Sequence, residues 1–238
     1  MTADWIQLAG TLRGFAAHPK RPTRAGVVVL QEIFGVNAHI REVTTQLASM
    51  GYLTIAPELF HRTGPGFDVG YDARSVAEGR RHREACTADG MLADISACVQ
   101  WLHDQGCQKV ASVGFCFGGH AAWLAGTLPD MAACACFYGG GIGRYRPGGG
   151  EPSVALAPQL KARMLMLYGE KDDLIPAAEV EQIAQALQHA GVRSEVHLLA
   201  GAGHGFACDA RESYNAYAAN MAWLKVFRLL AQELGSAP

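Results

Sequence analysis

The stretch Gly114-Phe115-Cys116-Phe117-Gly118-Gly119 decides the fold. It joins segment 110–115, which is predicted to be a core strand, to segment 117–126, which is predicted to be a helix. Glycines on both sides of Cys116 allow a sharp turn that has no bulky flanking side chains. Such a turn lifts the sulfur above the sheet, at a helix N-terminus whose partial positive charge favours a thiolate. The competing interpretation is a buried cysteine beside packing glycines.

Strand and helix segments alternate on both sides of this turn. Short buried strands separated by helices predict a mostly parallel sheet with helices on both faces. A hairpin around Gly10 is expected to precede it, and no linker or composition shift divides residues 1–238, so a single domain is predicted. The predicted strands are 27–30, 53–56, 110–115, 132–138, 164–168 and 195–199, the predicted helices are 37–50, 91–103, 117–126 and 177–190, and segment 211–230 closes the chain.

Composition excludes several classes of protein. Half of the 238 residues are hydrophobic and 18% are charged, against about 25% charged in typical soluble domains, which indicates a large interior. The net charge of −2 includes no basic excess, so neither nucleic acid nor a membrane is expected as a partner. Seven cysteines form no even, loop-borne framework, and no leader or 18-residue apolar run is found, so we predict a cytoplasmic protein.

The loop after predicted strand 164–168 carries two aspartates. Asp172 stands three residues after Gly169, and Pro176 follows four residues later. Hydrolases with this alternating architecture place the acid of a catalytic triad at such a position, so Asp172 is preferred to Asp173. A carboxylate that caps a turn or a helix is the competing interpretation for either residue.

The loop after the last predicted strand carries the histidine. His204 lies between Gly203 and Gly205, where a flexible backbone lets the imidazole reach over a nucleophile. The order Cys116, Asp172, His204 is that of nucleophile, acid and base in α/β-hydrolases. The sequence therefore predicts a cysteine-based triad.

A fourth motif, Gln31-Glu32-Ile33-Phe34-Gly35, ends the first long strand. A carboxylate at Glu32 contributes little to packing; a salt bridge to an arginine is the alternative to a catalytic role. The four motifs occur in the order found in the dienelactone hydrolase family, which the chain resembles from about residue 5 to residue 230. The resemblance implies an α/β-hydrolase fold and hydrolysis of carboxylic esters or lactones.

The resemblance also implies a mechanism. In that family the cysteine, here Cys116, rests as a thiol hydrogen-bonded to a glutamate, here Glu32, which takes the proton when substrate binds. His204, oriented by Asp172, then acts as acid and base. Thiolate attack gives an acyl-enzyme that water cleaves.

Backbone N–H groups of Phe117 and Ile33 would form the oxyanion hole, as in the family. Family members that hydrolyse dienelactone hold its carboxylate with two arginines, one of which precedes predicted helix 91–103. We take Arg81 and Phe34 as the substrate-binding residues, although spacing leaves Arg80 and Arg83 as alternatives.

The second arginine of the family falls four residues after the histidine. Here that position, counted from His204, is Cys208. With half of a bidentate carboxylate clamp missing, dienelactone is a doubtful substrate. We expect a neutral lactone or an aryl ester, with phosphotriester cleavage as a side activity.

Other functions fit the sequence less well. A redox or thiol-peroxide enzyme would need a resolving cysteine close to Cys116 in the sequence, and a binding protein would not need an intact triad. Cys134 and Cys136 lie on a predicted strand and the histidines form no ligand pattern, so no metal and no cofactor are expected. The glycine-rich segment 139–150 is predicted to form a mobile rim of the site, and the oligomeric state stays open.

Overall fold

The run Val27-Val28-Val29-Leu30 lies in the middle of the sheet. It belongs to a strand, Ala25–Leu30, that is buried along its whole length and has a parallel neighbour on each side. Branched side chains suit this position because both faces of the strand are covered. The computed structural model of the protein, which describes residues 1–235, confirms the predicted α/β class with a mostly parallel sheet.

The sheet has eight strands in the order β1-β2-β4-β3-β5-β6-β7-β8. The pairs β1/β2 and β2/β4 are antiparallel, and the other neighbours are parallel. The first two strands form the predicted hairpin around Gly10. The strands are β1 (Thr2–Ala9), β2 (Leu12–His18), β3 (Ala25–Leu30), β4 (Leu53–Pro57), β5 (Lys109–Phe115), β6 (Met131–Phe137), β7 (Arg163–Gly169) and β8 (Ser194–Leu199).

Helices connect the parallel strands. The first helix begins after Asn37, whose side chain accepts a hydrogen bond from the Ile40 N–H, as the sequence predicts. The helices are α1 (Ala38–Ser49), α2 (Ala73–Glu84), α3 (Ala88–Asp104), α4 (Phe117–Ala125), α5 (Ala177–His189) and α6 (Ala216–Leu234), and a 3₁₀ helix covers Ser153–Gln159. No helix within residues 1–235 is long and apolar enough to cross a membrane.

Helix α2 is absent from the sequence prediction. It buries only Ser75 and Gly79, so it lacks the apolar stripe by which a helix is identified. Asp72 starts it by accepting a hydrogen bond from the Ser75 N–H. The helix then runs along the edge of the sheet where the strands β3 and β5 end.

Contacts between glycines hold the turn between β5 and α4 in place. A Cβ atom added at Gly118 would overlap the carbonyl oxygens of Leu30 and Gln31, and one added at Gly114 would overlap Gly118. Backbone therefore packs directly on backbone here, which side chains of any size would prevent. The end of β3 and the start of α4 are brought together in this way.

The parallel strands all end at one edge of the sheet, and the predicted site residues follow those ends. Glu32 follows β3, Cys116 follows β5, Asp172 follows β7 and His204 follows β8. Ligands of open α/β sheets bind at this edge. Residues 236–238, which the single-domain prediction includes, lie outside the described residues.

Candidate active site

Cys116 occupies a strained turn. Its φ of 54° and ψ of −111° fall in a region that residues with a side chain rarely adopt, so the surrounding contacts must enforce it. The Cys116 N–H donates to the Phe137 carbonyl at 3.0 Å, which anchors the turn to β6. The side chain is half-buried and precedes the first residue of α4. The sulfur is therefore presented at the end of the sheet rather than packed inside.

His204 is held by Asp172. The Nδ1 of the imidazole lies 2.8 Å from Oδ2 of Asp172, and the other carboxylate oxygen accepts the Leu174 N–H at 2.9 Å. Asp172 is buried, whereas Asp173 is exposed. This carboxylate therefore fixes the orientation of the ring and leaves Nε2 free of protein hydrogen bonds.

The environment of His204 favours the charged imidazolium. Burial lowers the pKa of His204, but the sulfur of Cys116 and the carboxylate of Asp172 raise it by more, to about 10. The structure thus brings Cys116, His204 and Asp172 into one electrostatic unit. An imidazolium beside a thiol stabilises the thiolate, which is the reactive form of cysteine.

This coupling predicts how His204 titrates. We expect its ring to keep its proton through pH 8 and to lose it near pH 10, and Cys116→Ala to bring the midpoint down because the sulfur is the largest raising influence. The stabilisation from the charged ring is complete below its unfolded pKa of 6.5 and is lost as the pH rises through about 10. Histidine NMR titration of both proteins measures the midpoints, and a wild-type midpoint near 6.5 would contradict the coupling.

Glu32 is paired with an arginine. It is 1% exposed, and its Oε1 accepts a hydrogen bond of 3.0 Å from Nη1 of Arg211. Its Oε2 is buried without a partner. The resemblance implied a hydrogen bond between Glu32 and Cys116; among the described residues no such bond is formed, and Arg211 takes its place.

Arg211 lies beside Glu32, whereas the position expected for a second arginine holds Cys208. The guanidinium of Arg211 lies 5.7 Å from the ring of Phe34 and 5.8 Å from the ring of Tyr71. Gly205, at a φ of +81°, makes room for it, because a Cβ there would overlap Nη1 of Arg211. Counting four residues from His204 missed this side chain, because the loop turns back and residue 211 reaches the site. The only sequence signal for Arg211 as a site residue was the presence of an arginine elsewhere in the same loop.

The predicted substrate residues are arranged differently from the expectation. Arg81 is exposed, whereas Arg83 is half-buried and lies one turn beyond Gly79, which packs on the Ile33 carbonyl. Burial raises the pKa of Tyr145, with a lowering contribution from Arg83 and a raising one from the sulfur of Cys116. Arg80 is exposed as well, so Arg83 is the one partly buried arginine of the three. Phe34 is buried, and it supports Arg211 rather than lining open space.

The two backbone groups predicted for an oxyanion hole are available. Phe117 is the first residue of α4, so its N–H has no acceptor within the helix. The Ile33 N–H has no hydrogen-bond acceptor among residues 1–235. Contact of Gly118 with the carbonyls of Leu30 and Gln31 brings the two segments side by side.

Tyr138 was not predicted as a site residue. It follows β6 with a φ of 37°, and its ring centroid lies 5.1 Å from that of His204. Its hydroxyl is buried without a partner. Burial, reinforced by the charge of Glu32, raises its pKa, so it remains a neutral hydrogen-bond donor. From the sequence alone, an aromatic residue at the end of a strand is interpreted as a core residue, so Tyr138 is not identified as a site residue.

Comparisons with known proteins show the family to which the chain belongs. The model of the "Dienelactone hydrolase family" matches residues 12–234. A Synechocystis protein named "Putative carboxymethylenebutenolidase" is 40% identical over 96% of this chain and 93% of its own length. The carboxymethylenebutenolidase of Pseudomonas putida is 30% identical over 90% of this chain and 86% of its own.

Solved structures give the same result. A structure described as a putative dienelactone hydrolase from Klebsiella pneumoniae superposes with a TM-score of 0.86 at 31% identity, covering 97% of this chain and 98% of the other. The dienelactone hydrolase-like promiscuous phosphotriesterase P91 superposes with a TM-score of 0.81 at 23% identity, covering 98% and 99%. The second likeness concerns the fold alone.

Proposed function

The chain belongs to the dienelactone hydrolase family, and from that premise we propose a thiol-dependent hydrolase of carboxylic esters or lactones in which Cys116 is the nucleophile. The observation that carries the proposal is the pairing of His204 with Asp172 at 2.8 Å beside a cysteine held at a strained strand-to-helix turn. A nucleophile, a base and a group that orients the base are the parts that covalent catalysis requires.

The reaction follows from the arrangement of these groups. The Cys116 thiolate attacks the carbonyl carbon, and the oxygen that becomes negative accepts hydrogen bonds from the Phe117 and Ile33 N–H groups. The imidazolium of His204 gives its proton to the departing alkoxide, which leaves an acyl-enzyme. Neutral His204 then takes a proton from the water that attacks the acyl group. Collapse of the tetrahedral intermediate breaks its C–S bond, which releases the carboxylic acid and re-forms the thiolate beside the imidazolium of His204. Loss of one oxyanion donor typically costs about 3–4 kcal/mol.

The substrate class is proposed from Arg211 and Arg83. One N–H of Arg211 is directed to Glu32, which leaves other donors of the guanidinium for a second carboxylate, and the side chain is 20% exposed. Arg83, which is half-buried on α2, is proposed to supply further positive charge. We therefore propose esters or lactones that carry a free carboxylate, in place of the neutral substrates expected from the sequence. The names of the relatives are in line with this class.

Glu32 is proposed to hold Arg211 until substrate arrives. A substrate carboxylate that shares the guanidinium weakens the ion pair with Glu32. The glutamate, whose Oε2 has no hydrogen-bond partner among residues 1–235, can then turn toward Cys116. Where Cys116 still carries its proton, Glu32 takes it, as the family mechanism implies, and the thiolate is then paired with the imidazolium of His204. A phosphotriester carries no carboxylate, so its cleavage by the same thiolate is proposed as a side activity only.

Two matched esters test the function and the substrate class together. We expect wild-type protein to hydrolyse mono-4-nitrophenyl glutarate with a kcat/KM about 10- to 100-fold above that of its methyl ester, because a hydrogen bond to a charged group contributes about 1.5–3 kcal/mol. Arg211→Met should remove most of this preference. Release of 4-nitrophenolate gives both rates.

Arg211→Lys is the matched control, because it keeps the charge but loses the planar fork. It should retain part of the preference, and thermal melting shows whether each variant is folded. If neither ester is hydrolysed, the proposed activity is wrong. If both are hydrolysed at equal rates, the activity stands and the carboxylate class is wrong.

A further inference from the structure

A groove lies beside the active site, beyond Tyr71. Its volume is about 540 Å³, and Glu42, Asp68 and Asp209 line it together with His39. Arg41 pairs with Asp68, which leaves two acidic side chains in the groove without an ion-pair partner among residues 1–235. The groove therefore attracts cations.

Two side chains that line this groove, His39 and Asp209, lie close to the buried Cys208. A ring nitrogen of His39, the sulfur of Cys208 and a carboxylate oxygen of Asp209 all lie within 4.8 Å of one another. His39 and Cys208 are buried, and Asp209 is exposed. One nitrogen, one sulfur and one oxygen are thus directed at a common point that opens to solvent on the side of Asp209.

His39 has an unsatisfied buried atom. The residue is 7% exposed, and its Nε2 is buried with no hydrogen-bond partner in the part of the chain that the structure describes, residues 1–235. A buried polar atom without a partner costs free energy and indicates a missing ligand or water.

We propose that this groove binds one divalent transition-metal ion of the zinc type through His39, Cys208 and Asp209. Binding forms a metal–sulfur bond, and the proton of the Cys208 thiol is released to water. The hydrogen bond of 3.2 Å from Cys208 to the Tyr71 hydroxyl is given up, and Tyr71 keeps its contact with the Asn37 amide. Water or a small anion fills the fourth position.

The donor set and the distances select this class of ion. Sulfur and imidazole suit zinc and similar metals, whereas calcium requires six to eight oxygen ligands. Zinc binds nitrogen at about 2.0–2.1 Å and sulfur at about 2.3 Å, so tetrahedral ligand atoms lie roughly 3.3–3.8 Å apart. The ligand atoms lie within 4.8 Å of one another, so an inward shift of at most about 1–1.5 Å brings them into this range.

The sequence predicted no metal site because these ligands are far apart in the chain. His39 begins α1, whereas Cys208 and Asp209 lie in the loop after β8. Only the fold brings them together. Cys208 occupies the position expected for an arginine, and as a cysteine it can bind a metal ion. The proposed metal site does not depend on the proposed hydrolase activity.

The triad also offers sulfur, nitrogen and oxygen atoms, so the test must separate the two sites. Wild-type protein is titrated with Co²⁺, whose thiolate complexes absorb strongly in the near ultraviolet, and with Zn²⁺ in equilibrium dialysis. We expect one ion per chain and a charge-transfer band in wild type and in Cys116→Ala. Cys208→Ser should lose the band and at least 10-fold in Zn²⁺ affinity, whereas Cys86→Ser, which changes a half-buried thiol elsewhere, should lose neither.

Asp209→Asn and His39→Gln complete the test. Asp209 is exposed, so Asp209→Asn should leave the melting temperature of the ion-free protein unchanged while weakening Zn²⁺ about 10-fold, and it carries the test if Cys208→Ser fails to fold. His39→Gln should keep the band at reduced affinity. The proposal is overturned if wild type gives no band, or if the band is lost in Cys116→Ala and retained in Cys208→Ser.

Discussion

Replacement of Cys116 by alanine is expected to lower kcat/KM for activated esters by at least about 10⁴-fold, because removal of a covalent nucleophile leaves only substrate binding and the oxyanion donors. The turn that presents the sulfur should persist, since its strain is enforced by backbone contacts at Gly114 and Gly118. The rate of 4-nitrophenolate release, together with intact-mass detection of the acylated protein, measures the effect. We expect an added acyl mass in wild type only.

Two controls define this result. Cys86→Ala removes a half-buried thiol outside the site, and its rate should stay within about twofold of wild type. Cys116→Ser should be far slower than wild type, because a hydroxyl holds its proton more tightly than a thiol does. Retention of more than a tenth of the wild-type rate by Cys116→Ala would show that another group is the nucleophile.

Replacement of Gly118 by alanine should have the largest effect on stability. The new Cβ would overlap the carbonyl oxygens of Leu30 and Gln31, and backbone atoms, unlike the ends of flexible side chains, cannot move aside cheaply. We expect the free energy of unfolding to fall by more than about 3 kcal/mol. For a chain of this size the melting temperature should then fall by about 6–12 °C. Thermal unfolding followed by circular dichroism measures it.

Gly70→Ala is the matched control, because a Cβ at Gly70 meets no atom within 4 Å. Its free energy of unfolding should stay within about 1 kcal/mol of wild type. If Gly118→Ala melts within 2 °C of Gly70→Ala, the close approach between β3 and α4 does not hold in solution.

The fold could be predicted where the pattern is local. Val27-Val28-Val29-Leu30 marks the central strand because branched residues suit a sheet covered on both faces, and Asn37 marks the start of α1 because its side chain caps it. Helix α2 could not be found in this way. It covers the end of the sheet with Ser75 and Gly79, so its position depends on close backbone contact rather than on apolar burial.

The candidate site was predictable for residues within motifs and unpredictable for residues that act through tertiary contacts. Cys116, Asp172 and His204 each follow a strand within a recognisable glycine-containing segment. Arg211 reaches Glu32 only because the loop after β8 folds back, and the spacing of residues in the sequence does not predict that turn. The neighbours of Tyr138 likewise come from three other strand ends.

The glycine-on-backbone packing at Gly114, Gly118, Gly119 and Gly139 has a consequence for laboratory evolution. This layer contains no side-chain volume that can be exchanged, so libraries that randomise it should yield almost entirely inactive clones. Diversity should instead be directed to Arg83 and its neighbours on α2 and to segment 144–150, which lie outside this packed layer.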